Sequence, residues 1–342
     1  MARRALGAAT LAIVSAVDAA AAGPWMVACS GGADSLALAW AVGFVGRRRG
    51  TAVRAVVVDH GLQKGSDAVA ASVVATLGRM PVPDADPLVV PAAVVRVVVA
   101  EDGAGPEASA REARYAALEL AAELGERVLL GHTLDDQAET VLLGLARGSG
   151  ARSLAGMASE RGVFVRPLLG LGREVTAACC AELGLTPWAD PHNADPRFAR
   201  VRVRDRVLPV LERELGPGVR EALARTAVQL RRDADALDDE ASGLAVMSGG
   251  EAVPGATTPA RQAATLNCRW LAGLEPALRD RVLRDWLLAR GASEVTSGHV
   301  AAVSALVTGW HGQKGGALPG LVVRRLDGVL IAQPPAESAR LR

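Results

Sequence analysis

The sequence has 342 residues, which is long enough for two or three domains. Hydrophobic residues make up 50% and charged residues 22%, as in ordinary globular proteins, and the net charge of +1 excludes a general affinity for polyanions. The four cysteines form no CxxC motif and show no paired spacing. They indicate neither a zinc site nor a disulfide framework and fit a reducing cytoplasm.

The N-terminal segment is apolar, and we predict a helix over residues 5–22. Two arginines ahead of it and the small residues at 19–23 imitate a secretory signal, although Asp18 interrupts the apolar run. We favour a cytoplasmic N-terminal helix over a cleaved signal. No apolar run reaches the roughly 18–20 residues that a membrane span needs, so no membrane partner is expected.

Residues 25–35 place two adjacent glycines between a short apolar run and a second apolar segment. This pattern predicts a buried strand, a tight loop and a helix. Glycines let the backbone approach a ligand closely, and the free N–H groups at a helix start attract negative charge. We therefore predict a phosphate-binding loop at residues 30–35, with an ordinary glycine turn as the alternative. The loop matches neither the Walker A pattern nor GxGxxG.

A second apolar run over residues 53–58 predicts a strand, and it ends in the tetrapeptide DHGL. Ligands of open α/β sheets bind beyond the carboxyl ends of the strands, so we expect Asp59 and His60 beside a nucleotide. A polar turn that closes the strand is an equal alternative.

Strands and helices alternate through the rest of the first 215 residues, which predicts a doubly wound α/β domain with a parallel sheet. Residues 80–87 predict a proline-rich loop, and Pro91 must lie at an edge or an end of its strand. The remaining predicted elements are helices over 66–79, 107–124 and 173–183 and strands over 88–99, 127–130 and 163–169.

The helix over 107–124 carries Arg111 and Arg114, three positions apart on one face. On local grounds, exposed arginines that pair with Glu107 and Glu112 are the favoured interpretation. The alternative, in which both arginines face a substrate, depends on the resemblance described below.

The strand over 127–130 runs into GHTLDDQAET, which repeats the order of strand, glycine turn and helix start. Three carboxylates fall within about one helical turn: Asp135, Asp136 and Glu139. A helix N-terminus capped by Thr133 would stabilise one or two of them. It explains less well why Asp136 and Glu139, which are i and i+3 neighbours, converge beside a glycine turn. Such a pair could bind Mg²⁺ or an ammonium group.

Five arginines stand between positions 197 and 206, and we predict that Arg197, Arg200 and Arg204 share one helical face. Such a stripe can neutralise the phosphates of a nucleic acid. The alternative is a solvated face whose arginines pair with Asp195 and Asp205.

The C-terminal part predicts a helical connector and a small α+β domain. A long helix over 219–239 leads to a linker rich in Gly, Pro and Thr at 249–259, and a later hairpin turns at Asp327-Gly328. Lys314 lies among glycines, where a plain loop is favoured over an RNA contact. The predicted division is a catalytic domain at 1–215, a helical connector and linker at 216–255, and a substrate-binding domain at 256–342.

Several segments resemble known signatures. Residues 30–35, SGGADS, resemble the SGGxDS signature of the PP-loop ATP pyrophosphatases, which split ATP into AMP and pyrophosphate while adenylating a substrate. Four further segments resemble the tRNA(Ile)-lysidine synthetases of that superfamily: DHGL at 59–62, ARxxRY at 110–115, GHTLDDQAET at 131–140 and RPLL at 166–169. The chain departs from that family at His192 and at Arg200-Val201, where Ser and Arg-Asn are usual.

The resemblance implies a reaction and a set of roles. ATP, with Mg²⁺, would adenylate carbon 2 of the wobble cytidine in tRNA(Ile) with a CAU anticodon, and the ε-amine of free L-lysine would then displace AMP. The residues implied in catalysis are Asp34 (also a metal ligand), Asp136, Glu139 and Arg111. Those implied in ATP binding are Ser30, Gly31, Gly32, Ala33, Asp34, Ser35, Asp59, His60, Gly131 and His132. Those implied in binding lysine or tRNA are Arg114, Asp136, Glu139, Arg200 and Arg204.

Three other functions compete with this one. A cluster-bearing tRNA thiolase would use CxxC pairs, which the sequence lacks, and an amidotransferase would need a glutaminase unit. A non-catalytic ATP sensor would have no need of the acidic block. The sequence does not fix the oligomeric state, and a homodimer is one option.

Overall fold

The computed structural model describes residues 5–20, 23–61, 65–98, 106–148, 150–245, 265–293, 295–313 and 315–334. The chain divides into two compact units: residues 1–149 with 153–228, and residues 150–152 with 229–342. The predicted linker at 249–259 and Lys314 lie outside the described residues. The three-part division predicted at residues 215 and 255 stays a prediction.

The first unit is organised around a six-stranded sheet in which five strands run parallel. In spatial order the strands are β5 (Ala92–Arg96), β2 (Val53–Asp59), β1 (Trp25–Ala28), β6 (Arg127–Leu129), β8 (Phe164–Val165) and the antiparallel β7 (Glu160–Arg161). The order reverses between β1 and β6, which is where open α/β sheets bind their ligands. The predicted doubly wound parallel sheet is confirmed.

One region beside this sheet differs from the prediction. A hairpin of β3 (Met80–Val82) and β4 (Ala85–Leu88) replaces the loop predicted over 80–87. The neighbouring strand β5 begins later than predicted. Pro91 has no N–H to donate, so it lies just outside the strand, where its carbonyl accepts a hydrogen bond from Ala55 N at 2.7 Å.

Helices cover both faces of the sheet. In chain order, the helices of residues 5–183 are α1 (Ala8–Asp18), α2 (Ala33–Arg49), α3 (Ser66–Leu77), α4 (Pro106–Ala121), α5 (Leu134–Ala146), α6 (Ala151–Leu154) and α7 (Arg173–Leu183). Side chains of α1, α2, α3 and α7 pack with Trp25 and Val27 on one face, and Leu118 of α4 packs with Met26 and Ala28 on the other. Strands buried on both faces explain the continuous apolar runs in the sequence.

The rest of the chain is mainly helical and ends in a small antiparallel sheet. A π-turn at Val203–Val207 joins α8 (Ala199–Arg202) to α9 (Leu208–Leu215), and α10 (Val219–Ala245) follows. Next come α11 (Cys268–Ala272), α12 (Pro276–Ala289), α13 (Ser297–Thr308) and a sheet in the order β10 (Gly316–Leu318), β11 (Leu321–Leu326), β12 (Val329–Gln333) and β9 (Thr265–Asn267). The predicted turn at Asp327-Gly328 is confirmed, since both residues have positive φ between β11 and β12.

The N-terminal helix α1 belongs to the core of the first unit. Ile13 and Val17 are fully buried, and the helix packs against α2 and α7. Glu182 of α7 accepts hydrogen bonds from the free N–H groups of Ala9 at 3.1 Å and Thr10 at 2.8 Å. No helix of the described residues is long and apolar enough to cross a bilayer.

We expect Glu182→Ala to lower the free energy of unfolding by about 1–2 kcal/mol, because it removes the acceptor of three hydrogen bonds at the start of α1. The Thr10 hydroxyl, above all, holds the pKa of Glu182 below its ordinary value of 4.5. The stabilisation is therefore present above pH 4.5 and is lost as the pH falls below it.

Urea denaturation at neutral pH measures this loss. The matched control is Glu214→Ala, because Glu214 is exposed and pairs with its neighbour Arg213 on the surface. That variant should change the free energy of unfolding by less than about 0.5 kcal/mol. Equal losses in the two variants would contradict the docking role of Glu182.

Candidate active site

Two glycine turns meet at the carboxyl edge of the sheet. One follows β1 and the other follows β6, on the two sides of the point where the strand order reverses. A Cβ atom added at Gly131 would lie 3.1 Å from the carbonyl of Asp34 and 3.2 Å from the backbone nitrogen of Ser35. Only a residue without a side chain fits comfortably between the two turns, so their contact explains this glycine.

The first turn contains a glycine in the left-handed conformation and leads directly into α2. Gly31 has φ +86°, a conformation that favours glycine, and Gly32 precedes the first residue of α2. The buried hydroxyl of Ser35 donates to Gly32 O at 3.0 Å and accepts from Ser30 N at 3.2 Å. Ser35 therefore holds the loop in shape, whereas Ser30 is exposed and Ala33 begins the helix.

The predicted acidic residues converge on a single arginine, Arg173, the first residue of α7. Its Nε lies 3.5 Å from Asp34 Oδ2, its Nη2 lies 3.0 Å from Asp136 Oδ1, and its Nη1 lies 3.5 Å from Glu139 Oε1. The structure thus brings together the acids of both glycine turns. Burial raises the pKa of Asp34, although the hydroxyl of Thr176 and the Arg173 charge oppose the shift.

Asp136 also caps the helix α5. Its Oδ2 accepts hydrogen bonds from Thr133 N at 2.8 Å and from the Thr133 hydroxyl at 3.0 Å. Burial alone would raise the pKa of Asp136, but Arg173 and the Thr133 hydrogen bonds outweigh it and hold the pKa low. Asp135 of α5 accepts a hydrogen bond from Arg173 N of α7 at 2.8 Å, and it lies 3.3 Å from Nε of Arg220 in α10. It therefore connects the N-terminal ends of these three helices.

Glu139 is the least satisfied of these acids. The residue has no exposed surface, and neither carboxylate oxygen accepts a hydrogen bond within the described part of the chain. Its closest cations are Arg173 at 3.5 Å and Arg200 at 3.8 Å. Burial, together with the Asp136 charge, raises the pKa of Glu139 to about 7. A buried carboxylate that accepts no hydrogen bond from the described residues can accept them from a ligand with N–H donors.

A basic cluster of Arg111, Arg114, Arg166 and His132 surrounds Tyr115. Arg166 is buried and donates to His132 Nδ1 and to Tyr115 Oη, both at 3.3 Å, and the Arg111 guanidinium lies 5.2 Å from the centre of the Tyr115 ring. Burial and the neighbouring arginines lower the pKa of His132 to about 3, although Asp136 opposes them. His132 is therefore neutral and accepts at Nδ1.

Arg114 makes no hydrogen bond or ion pair with any residue that the structure describes. Its pKa is lowered by burial. The local alternative paired the two helix arginines with acids of α4, yet no ion pair joins Arg111 or Arg114 to Glu112 in the described chain. The side chain of Glu107 lies outside the described residues. A half-buried cation that makes no hydrogen bond or ion pair with the described residues suits an anionic ligand.

The predicted pair at the end of β2 has a different environment. Asp59 is buried, and its Oδ1 accepts from Gly61 N at 3.0 Å. A hydrogen bond from Ser66 lowers the pKa of Asp59, and Arg96 Nε lies 3.6 Å away. These contacts match the polar turn that was the alternative. His60 is half-buried, and the Leu62 position lies outside the described residues.

The predicted arginine stripe is wrong. Arg197 precedes α8 and pairs with Asp195 at 2.6 Å, and the π-turn changes the spacing after α8. Arg204 pairs with Asp205 at 2.9 Å and donates to Asn193 O. Arg200 instead turns inward, toward Glu139. The prediction assumed a regular α-helix from Arg197 to Arg204, in which the three arginines would share one face.

Two residues of the site were not predicted, Arg173 and Arg166. A positive residue at the first position of a helix is disfavoured by the helix dipole, so an arginine directly after Gly172 was a usable signal for Arg173. Arg166 is the first residue of the RPLL segment, but the resemblance assigned it no role, and no local pattern marks it as a site residue.

A metal ion would have Asp34 as its nearest predicted ligand. Within the described residues, no three His, Cys, Asp or Glu side chains are grouped to hold a metal. Mg²⁺ often takes one or two carboxylates, substrate phosphates and waters rather than a full protein cage. One carboxylate beside a phosphate-binding loop fits that mode.

Comparisons with known proteins identify relatives of this chain. A family model of the PP-loop domain matches residues 9–211, and a model of the TilS substrate binding domain matches residues 266–331. The tRNA(Ile)-lysidine synthase of Leifsonia xyli subsp. xyli is 49% identical over 314 residues, which cover 90% of this chain and 89% of that protein. The enzyme of the same name from Salinispora tropica is 50% identical over 326 residues, covering 92% and 91%.

A solved structure supports the fold. The U34-tRNA thiolase NcsA from Methanococcus maripaludis superposes with a TM-score of 0.51 at 18% identity, over 65% of this chain and 77% of that chain. At this identity the likeness concerns the fold alone.

Proposed function

The chain belongs to the tRNA(Ile)-lysidine synthases, and on that premise we propose how it converts the CAU anticodon of tRNA(Ile). The oxygen on carbon 2 of the wobble cytidine attacks the α-phosphate of ATP, and pyrophosphate leaves. The ε-ammonium of free L-lysine gives up one proton, and the resulting amine attacks carbon 2. The new C–N nitrogen loses a second proton as AMP leaves. The chain is thus an ATP-dependent ligase that forms a carbon–nitrogen bond.

The observation that carries the lysine assignment is the unsatisfied carboxylate of Glu139 beside Asp136. Glu139 has no exposed surface and no hydrogen bond within the described residues, and Asp136 stays ionised because Arg173 and Thr133 stabilise its charge. An ammonium group carries three donors and a positive charge. It would supply the hydrogen bonds that Glu139 lacks.

We assign the ATP phosphates to the loop at residues 30–35 and the start of α2. Free N–H groups and the helix dipole favour the triphosphate there. Mg²⁺, when bound, would neutralise the charge that develops on the departing pyrophosphate. Asp34 would hold it, at the edge of the same loop. Gly131 supports this assignment, since it lets the second turn close against the backbone of Asp34.

The basic cluster would face the reacting cytidine. Arg114 makes no hydrogen bond or ion pair with the described residues, so its charge is available to the adenylate phosphate. Arg111 lies over the Tyr115 ring, so we place the unstacked base beside neutral His132. The single-stranded anticodon loop makes that unstacking inexpensive. Arg111 and Arg204 would contact the tRNA, and we place Arg200 between the tRNA backbone and Glu139.

All three substrates are found in the cytoplasm, so we propose that the chain acts there. A homodimer stays a prediction that analytical ultracentrifugation would test.

Transfer of isotopically labelled lysine to RNA tests the proposed function. The wild-type chain should label tRNA(Ile) with a CAU anticodon and leave the methionine tRNA with the same anticodon unlabelled. Asp136→Ala should still bind ATP but lose the transfer, because it removes a charge of the ammonium site. Asp86→Ala, which changes an exposed acid of the β3–β4 hairpin, is the matched control and should transfer lysine normally. No labelled RNA with the wild-type chain would exclude the function.

A further inference from the structure

Arg173 contacts four acidic residues of the candidate site. Its three guanidinium nitrogens each face a different carboxylate, and its backbone nitrogen donates to Asp135 at 2.8 Å. A positive side chain at the first position of a helix opposes the helix dipole. The surrounding acids compensate for that penalty, so the position is explained by the site rather than by the helix.

The three carboxylates belong to two different halves of the reaction. Asp34 lies in the first turn of α2, beside the loop assigned to the phosphates, whereas Asp136 and Glu139 lie on α5, where the lysine amine would bind. Among the described residues, Arg173 is the one whose ion pairs reach both turns. No other ion pair of the described chain joins Asp34 to α5.

We propose that Arg173 is a positioning residue that holds the phosphate turn and the amine-binding acids in a fixed relation, so that the bound amine lies in line with carbon 2. The inference rests on the proposed function. A guanidinium is suited to this task, because its planar fork can face three groups at once in a fixed geometry.

The charge of Arg173 adds a second requirement. Without a cation between them, three carboxylates within reach of one another would repel and separate. The same cation stands beside the site of the ammonium and repels it. Arg173 therefore serves the geometry of the transfer step at the expense of the ground-state affinity for lysine.

This division predicts a split between kcat and KM. Arg173→Ala should lower kcat for lysine transfer by about 100-fold, the order expected when reacting groups are misplaced by roughly 1 Å. KM for lysine should stay level or fall, since a like charge is removed from the amine site. Arg173→Lys restores the positive charge but lacks the planar guanidinium. Its kcat should therefore be at least about tenfold higher than that of Arg173→Ala.

The experiment measures kcat and KM for lysine at saturating ATP and CAU tRNA(Ile), with adenylate formation in the absence of lysine recorded separately. The matched control is Arg54→Ala. Arg54 lies at the opposite end of the sheet and donates to the buried Glu126 at 2.9 Å, so its loss removes a comparable buried ion pair away from the site. This control should lower stability and leave both constants unchanged.

Three results would overturn the inference: a kcat for Arg173→Ala within about twofold of wild type, a higher KM for lysine with unchanged kcat, or no recovery in Arg173→Lys. An equal loss of kcat in Arg54→Ala would also overturn it, because the effect would then be one of stability. The Lys variant keeps the test valid if the Ala variant does not fold. Failure of the proposed function is distinguishable, since the wild-type chain itself would then show no lysine-dependent turnover.

Discussion

Glu139→Gln is expected to remove lysine-dependent turnover while adenylation of the tRNA persists. The substitution preserves shape and removes the negative charge that would pair with the lysine ammonium in a fully buried position. Loss of one partner of a buried charge pair costs about 2–5 kcal/mol, so kcat/KM for lysine should fall by at least roughly 30-fold. Steady-state kinetics with varied lysine would measure it.

The same variant should be more stable than the wild-type chain at high pH. The pKa of Glu139 is about 7 in the folded chain against an ordinary value of 4.5, so the folded state holds a proton that the unfolded state releases. The free energy of unfolding therefore falls as the pH rises from 4.5 through 7, by on the order of 3 kcal/mol from this group. The glutamine side chain of the variant is not ionisable and escapes this loss.

Melting temperatures of both chains between about pH 5 and pH 8 would reveal the effect, because other titrating groups cancel in the difference. The melting temperature of the variant should rise relative to that of the wild-type chain as the pH increases. A constant difference over this range would show that Glu139 is not the titrating group. Normal lysine kinetics in the variant would remove Glu139 from the amine site.

Gly31→Ala is expected to disrupt the phosphate loop. At φ +86° a residue with a side chain is strained, and the added Cβ would lie 2.5 Å from Cγ2 of Val73 in α3. We expect the free energy of unfolding to fall by about 1–3 kcal/mol without nucleotide, and KM for ATP to rise. Urea denaturation without nucleotide, followed by ATP titration in the assay, measures both effects.

The adjacent glycine supplies the matched control. Gly32 has φ −70° and ψ 165°, and the nearest atom to an added Cβ is the Ser30 hydroxyl at 3.9 Å. Gly32→Ala should therefore change the free energy of unfolding by less than about 0.5 kcal/mol without nucleotide. Equal destabilisation by the two substitutions would show that the loop has a different conformation from the one described.

The parts of the site that the sequence predicted are those encoded locally. A strand followed by a glycine turn and a helix start fixes the direction of the loop at residues 30–35 and of the turn after β6. The i and i+3 spacing likewise brings Asp136 and Glu139 to one face of α5. The alternation of strands and helices indicated a doubly wound parallel sheet, and the continuous apolar runs fit such a sheet because its strands are buried on both faces.

The parts that the sequence did not predict depend on contacts between distant residues. Arg173 is 37 positions from Asp136, and Arg166 is 34 positions from His132. No periodic pattern connects such pairs. Arg200 faces Glu139, and the π-turn that follows it changes the helical spacing in a way that hydrophobic periodicity does not reveal. Only the packed structure assigns these cations to the acids and the histidine that they contact.

The central claim is that ATP cleavage by this chain serves the joining of lysine to one tRNA. AMP formation from ATP and Mg²⁺ would be measured with lysine alone, with CAU tRNA(Ile) alone, with both, and with lysine plus the methionine tRNA of the same anticodon. We expect sustained AMP formation only when lysine and tRNA(Ile) are both present. Sustained AMP formation without lysine, or with a sulfur donor in its place, would contradict it.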